Sequence, residues 1–217
     1  MPRTITIIVV NATGVTQSFF FYVGPAQYNV SGGIYTQSLK SATVAPSTLG
    51  SNFAFQIPFD YYAAVQSSDT QSKSSAIQQI SLSNTLSKAK NSTAMSTDPI
   101  ALTPPVFDGN VPAGAFRIVV PIYDSNFENY YVGTGLKSQS GLVILTSYIR
   151  ADPNTYVDVT PTTTFYVAVG NYGAGRQIDR SQVSSHGECD ASARSVFSVT
   201  YNHNGTFDVQ SYTGLPF

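Results

Sequence analysis

The chain holds few residues able to make or break bonds, and the densest collection is the pentapeptide HGECD, residues 186–190. His186, Glu188, Cys189 and Asp190 together are how a metal site or a Cys–His nucleophile would begin. A zinc site needs three or four protein ligands, however, and the other histidine, His203, sits beside a turn signal. The flanking Ser and Ala residues make the pentapeptide read as an exposed polar connector. DSNFENYY (124–131) sets Asp124, Asn126 and Glu128 at alternate positions, as oxygen ligands converge on calcium, but lacks the turn glycine and distal bidentate Glu of such loops. Asp60, Asp108 and Asp158 are numerous enough for paired-carboxylate glycoside hydrolysis, yet spacing selects no pair among them. GNYGAG (170–175) is followed by no helical pattern and reads as a β-turn loop rather than a phosphate cradle. The nucleophile elbow, P-loop, dinucleotide fingerprint and HExxH are absent. No metal or cofactor is expected.

What the chain has in excess is ring area with a polar tip: 14 Tyr and 13 Phe, with no Trp. Such rings near loops stack on sugars or enclose an apolar ligand, with the hydroxyl fixing its orientation. The candidate binding residues are Tyr22, Tyr62, Phe127, Tyr131 and Tyr172, each in an aromatic run, in a Tyr-Tyr pair or beside turn residues. The run SFFFYV (18–23) poses the main question. In a strand, Phe19 and Phe21 face one way while Phe20 and Tyr22 face the other, so something must cover each side. The covering is core on one face and, on the other, either a loop, the 67–105 segment or a ligand.

These residues are carried by strands. Short β-branched or aromatic runs bounded by Gly, Pro, Asn or Ser recur along the chain. The clearest pair is VFSVTYNHNGTFDVQSY, where Asn204-Gly205 marks a hairpin whose turn positions want φ > 0. Asn11-Ala12-Thr13-Gly14 reads as a second tight reversal. The expectation is all-β: one domain over residues 1–217, an antiparallel, jelly-roll-like β-sandwich of about eleven strands. Residues 67–105, rich in Ser and Thr and poor in aromatics, are expected to be a loop or lid.

Only 11% of residues are charged, against about 25% ordinarily, and the net charge is −1. The cations are scattered singly, with only Lys88 and Lys90 close together, which argues against a phosphate-binding face, so no nucleic-acid partner is expected. No apolar run reaches the roughly 18 residues of a membrane span. A lone cysteine forms no internal disulfide. Asn11, Asn29, Asn91 and Asn204 each open an N-x-[ST] triplet and are candidate glycosylation sites. The neutral polar texture, more than these triplets, whose number is near that expected by chance, points to the secretory pathway, while MPRTITIIVV itself reads as a first strand rather than a signal peptide.

The stretches VNATG, QSFFFYVGPAQY, SGGIYTQS and NFAFQIPFDYYAAV, within residues 5–66, resemble a group of small fungal single-domain β-proteins. That group includes hetero-Diels–Alderases of tropolone–sesquiterpenoid pathways. The resemblance transfers no catalytic residue. It implies a cofactor-free cycloaddition in an aromatic-walled pocket, where orienting two partners lowers the barrier without acid, base or metal. The favoured reading is thus binding of an apolar small molecule, with pericyclic catalysis as the implied activity. The alternative is a lectin-like module that binds glycans. Oligomeric state is not specified.

Overall fold

Alternating apolar and polar residues between turn signals favour strands, and strands dominate the computed structural model, which describes residues 3–49, 51–67, 74–82, 90–137 and 143–213. In chain order these are β1 (Arg3–Asn11), β2 (Gln17–Val23), β3 (Gln27–Tyr28), β4 (Lys40–Val44), β5 (Asn52–Phe59), β6 (Tyr62–Ser67), β7 (Ser75–Gln79), β8 (Ser92–Thr97) and β9 (Ile100–Leu102). They continue as β10 (Phe116–Val120), β11 (Tyr130–Lys137), β12 (Val143–Arg150), β13 (Thr155–Thr160), β14 (Thr164–Val169), β15 (His186–Asp190), β16 (Val196–Tyr201) and β17 (Phe207–Tyr212). The chain is all-β and sandwich-like, as expected, but with more strands than the eleven foreseen. Its contacts fall into two compact units. The first comprises Met1–Gly24, Gln37–Phe59 and Thr163–Phe217, and the second Pro25–Thr36 and Asp60–Thr162.

The first unit has two sheets, ordered β17-β16-β1-β5 and β15-β14-β2-β4. Their facing sides hold Ile5, Ile7 and Val9 of β1, Phe165 and Val167 of β14, and Val199 of β16, all buried. Phe19 packs edge-on to Tyr201 and Phe207, with ring centroids 5.7 and 6.5 Å apart, and Phe21 packs on Phe55. Gly187 has no room for a side chain, since a Cβ would lie 2.7 Å from Val199 Cγ1. β1 and β16 run parallel, a departure from the all-antiparallel expectation.

The two expected reversals resolve differently. β16 and β17 form the foreseen hairpin, closed by Asn202 N–H to Thr206 O at 2.9 Å and Gly205 N–H to Asn202 O at 3.0 Å. Only Gly205 has positive φ, at 81°, so this is a three-residue loop ending in a left-handed glycine rather than the two-residue turn expected. The Asn11–Gly14 segment instead joins β1 to β2, which belong to different sheets. Asn11 is buried and anchors that crossing. Its Nδ2 donates to Val15 O (2.8 Å) and Val44 O (2.9 Å), while its Oδ1 accepts from Thr13 N (3.1 Å) and Thr13 Oγ1 (2.7 Å). Both amide hydrogens of Asn11, one of the four candidate acceptors, are committed inside the fold.

The second unit pairs β3-β13-β10-β8-β9 with β12-β11-β6-β7. Phe116, Ile118 and Val120 of β10 and Val157 and Val159 of β13 pack with Val65 of β6, Val132 of β11 and Ile149 of β12 in one core. β8 and β10 run parallel. Pro121, which has no N–H for the ladder, follows the last residue of β10. The described part of 67–105, the segment expected to be a loop or lid, includes strands. Residues 68–73 and 83–89 lie outside the described residues, and the rest supplies β7, β8 and β9 to the two sheets.

Replacing Asn11 with Ala strips partners from buried carbonyl and N–H groups, at about 1–3 kcal/mol for such a loss. Asn11→Ala should lower stability by at least about 1 kcal/mol in urea unfolding followed by tyrosine fluorescence, with an unchanged slope.

Candidate functional site

The strand posed as the main question is filled on both faces by the protein's own side chains. On the outer face of β2, Phe20 and Tyr22 pack with Ala168 and Ile178, joined by Tyr166, Tyr172 and Val183. Ile178, Val183 and Tyr172 belong to the connection between β14 and β15. That connection includes GNYGAG and a helical turn at Arg180–Gln182 capped by Asp179, whose Oδ1 accepts from Ser181 N at 3.0 Å. The rings of Tyr172, Phe20, Tyr22, Tyr166 and His186 run in sequence at centroid separations of 4.7, 5.7, 5.1 and 4.8 Å. Tyr22 is only 3% exposed, and burial pushes its phenol up to about 12, with the Arg180 charge pulling the other way.

HGECD is not the exposed connector expected. It is β15, paired along its length with β14, and it alternates outward and inward. Gly187 and Cys189 face inward while His186, Glu188 and Asp190 face out. Burial pushes the Cys189 thiol up to about 12, which leaves essentially no thiolate at neutral pH.

Tyr62, Phe127 and Tyr131 belong to the second unit. Tyr131 packs edge-on to Tyr35 (5.9 Å) and Tyr148 (5.6 Å), and Tyr35 stacks on Tyr148 at 5.6 Å. These rings lie with Ala64, Leu145 and Ile77. Tyr62, two residues before Ala64 on β6, faces the same side of that sheet. Phe127 projects from the 121–129 loop at 86% exposure.

The opposite sheet of this unit carries a site that the sequence did not reveal. β10 and β13 turn their apolar alternates into the core, so Arg117 and Val119 of β10 and Tyr156 and Asp158 of β13 share the outer face. They stand as direct cross-strand pairs, Val119 opposite Tyr156 and Arg117 opposite Asp158. On the other side of β10, Ser92 pairs with Arg117 and is bridged in turn by Val106. Arg117 is the organising group. Its Nε and Nη2 donate to Asp158 Oδ1 and Oδ2 at 2.7 and 2.8 Å, and its Nη1 donates to Asp108 Oδ2 at 3.1 Å. Its guanidinium lies over the Tyr156 ring, 3.9 Å from the centroid, a contact worth about 0.5–2 kcal/mol. The carboxylate bonds and charges favour the guanidinium's charged form still further. The Asp108 carboxyl is held below the usual range by the Asn110 backbone N–H, against a desolvation that pushes it up, and by the Arg117 charge.

Asp108 and Asp158, which spacing alone did not pair, come together around one guanidinium that both of them bind. Asn91 is buried beneath the loop carrying Asp108. Its Nδ2 donates to Asp108 O (3.1 Å) and its Oδ1 accepts from Asp108 N (2.8 Å), so this candidate acceptor clasps the loop. What remains open to water on this face is apolar: Tyr156 is 48% exposed, Val119 41% and Val106 61%. Asn110 and Asn29 are exposed polar groups at its margin, with Asn29 Oδ1 accepting from Asp158 N at 2.8 Å.

Among the described residues, no three His, Cys, Asp or Glu side chains are grouped to hold a metal. No helix there is long and apolar enough to cross a membrane. No protein-family model matches the chain, and no curated protein or solved structure matches it either.

Truncating Arg117 leaves Asp158, whose side chain is 9% exposed, without its partner. Arg117→Met should cost about 3 kcal/mol, as removal of one member of a desolvated ion pair does. Thermal unfolding measures it, and a loss below the ~1 kcal/mol of an exposed pair would contradict the assignment.

Proposed function

We propose that the chain is a carbohydrate-binding module and that its ligand lies on the outer face of β10 and β13. The observation that carries this reading is the Tyr156 ring. One face is held by Arg117 and the residue is half open to water, so a flat aromatic platform is presented without a further loss of side-chain entropy on binding. A pyranose offers a patch of polarised C–H groups to such a ring and hydroxyls to the groups around it. Val119 and Val106 extend the apolar strip. The Tyr156 hydroxyl, Asn110 and Asn29 supply donors and acceptors at its edge. Because Arg117 is already bound by two carboxylates, the face suits a neutral sugar better than an acidic one.

A second reading, an apolar small molecule with the cycloaddition that the fungal resemblance implies, is favoured by the Tyr35–Tyr131–Tyr148 cluster and Tyr62 on the same sheet side.

Titration with neutral oligosaccharides by calorimetry separates the two. Tyr156→Ala should weaken binding by about tenfold or more, the ~1.4 kcal/mol that loss of one stacked ring removes, with a loss of stability no larger than the about 0.5–2 kcal/mol of its contact with Arg117. Binding that survives Tyr156→Ala but falls in Tyr131→Ala transfers the function to the tyrosine cluster. No binding of any neutral oligosaccharide at millimolar concentration ends the carbohydrate reading.

A further inference from the structure

Four N-x-[ST] triplets occupy four different environments, and their geometry separates them. Asn11 and Asn91 are buried, and their amide nitrogens donate to Val15 O, Val44 O and Asp108 O. Asn29 is exposed, but its Oδ1 is pinned by the backbone of β13. Asn204 lies at the tip of the β16–β17 hairpin, exposed, and followed by Gly205 and Thr206. Its Oδ1 accepts from both Thr206 N (3.2 Å) and Thr206 Oγ1 (2.7 Å). The hydroxyl of the triplet therefore already polarises the carboxamide through its oxygen, on a residue that is exposed. Asn11 shows the same bonding between Oδ1 and Thr13 (3.1 and 2.7 Å), so what distinguishes Asn204 is access. The side chains around it, His203 and Thr206, are exposed as well, and a bulky group there displaces no packed side chain.

We propose that Asn204 is an N-glycosylation acceptor. In the reaction Nδ2 attacks the anomeric carbon of a polyprenyl-diphosphate-linked oligosaccharide. A C–N bond forms, the C–O bond to the diphosphate breaks, the polyprenyl diphosphate leaves, and Nδ2 gives up one proton. The same step at Asn11 would remove one of two buried donor bonds, and at Asn91 it would place a sugar on a nitrogen that the fold buries.

The test is secretion of the full chain, carrying an Asn29→Gln substitution and a cleavable leader, from a eukaryotic host. Intact-mass and glycopeptide analysis follow, before and after peptide:N-glycosidase. One glycan is expected on the folded, secreted protein, mapped to Asn204. It should be lost in Asn204→Gln and equally in Thr206→Ala, which keeps the asparagine. A secreted protein with no glycan, or with one that persists in both variants, overturns the proposal, as does occupancy of Asn11 or Asn91 in folded material.

Discussion

A guanidinium drawn largely out of water on the face of a sheet is tolerable only when its N–H groups and its charge are met, and Arg117 sets the architecture of the second unit accordingly. It sits on β10, whose alternate residues Phe116, Ile118 and Val120 form the centre of that unit's core. The strand cannot shift to expose Arg117 without moving them. The partners must therefore come to it: Asp158 from the neighbouring strand, Asp108 from a loop clasped by Asn91, and the ring of Tyr156 across the remaining face. The loop conformation and the ring orientation follow from satisfying one cation. The exposed apolar strip of Tyr156, Val119 and Val106 is what this arrangement leaves facing water.

The first unit solves a different problem. β2 has aromatics on both faces and so needs two coverings. One is the facing sheet, through Phe55, Tyr201 and Phe207, and the other is the long β14–β15 connection, through Tyr172, Ile178 and Val183. Aromatic surface on both sides of a strand is here a requirement of packing and not a mark of a ligand. Surface aromatics separate in the same way. Phe127, at 86% exposure, is the most exposed of the large hydrophobics among the described residues, whereas Tyr156 has a guanidinium over one face of its ring.

Much of the strand content was legible because it rests on strong local signals. The β-branched and aromatic runs of β1, β2, β10, β12, β14 and β16 specify buried strands, and Asn204-Gly205 specifies a hairpin. The strands missed have weak signals for identifiable reasons. β8 is built almost wholly from Ser, Thr and Ala, while β7 (SAIQQ) and β9 (IAL) are short and lack aromatic and clearly alternating residues; the ladder of backbone hydrogen bonds is what makes them sheet. HGECD contains only one apolar side chain, and its inward positions are Gly187 and Cys189, small because Val199 approaches so closely. The site was the least legible. Arg117, Asp158 and Tyr156 are unremarkable in sequence, and what joins them is cross-strand register between segments some 40 residues apart. The glycosylation triplets make the same point: four equivalent patterns, of which burial closes two.

The most direct test of the central claim is a methyl and aromatic NMR titration of the isotope-labelled chain with a neutral oligosaccharide. The account predicts saturable shifts centred on the Val119 and Val106 methyls and the Tyr156 ring, with the Phe20, Tyr22 and Tyr166 rings unmoved. Shifts that leave Val119 and Tyr156 in place, or that centre on the β2 face, would contradict it.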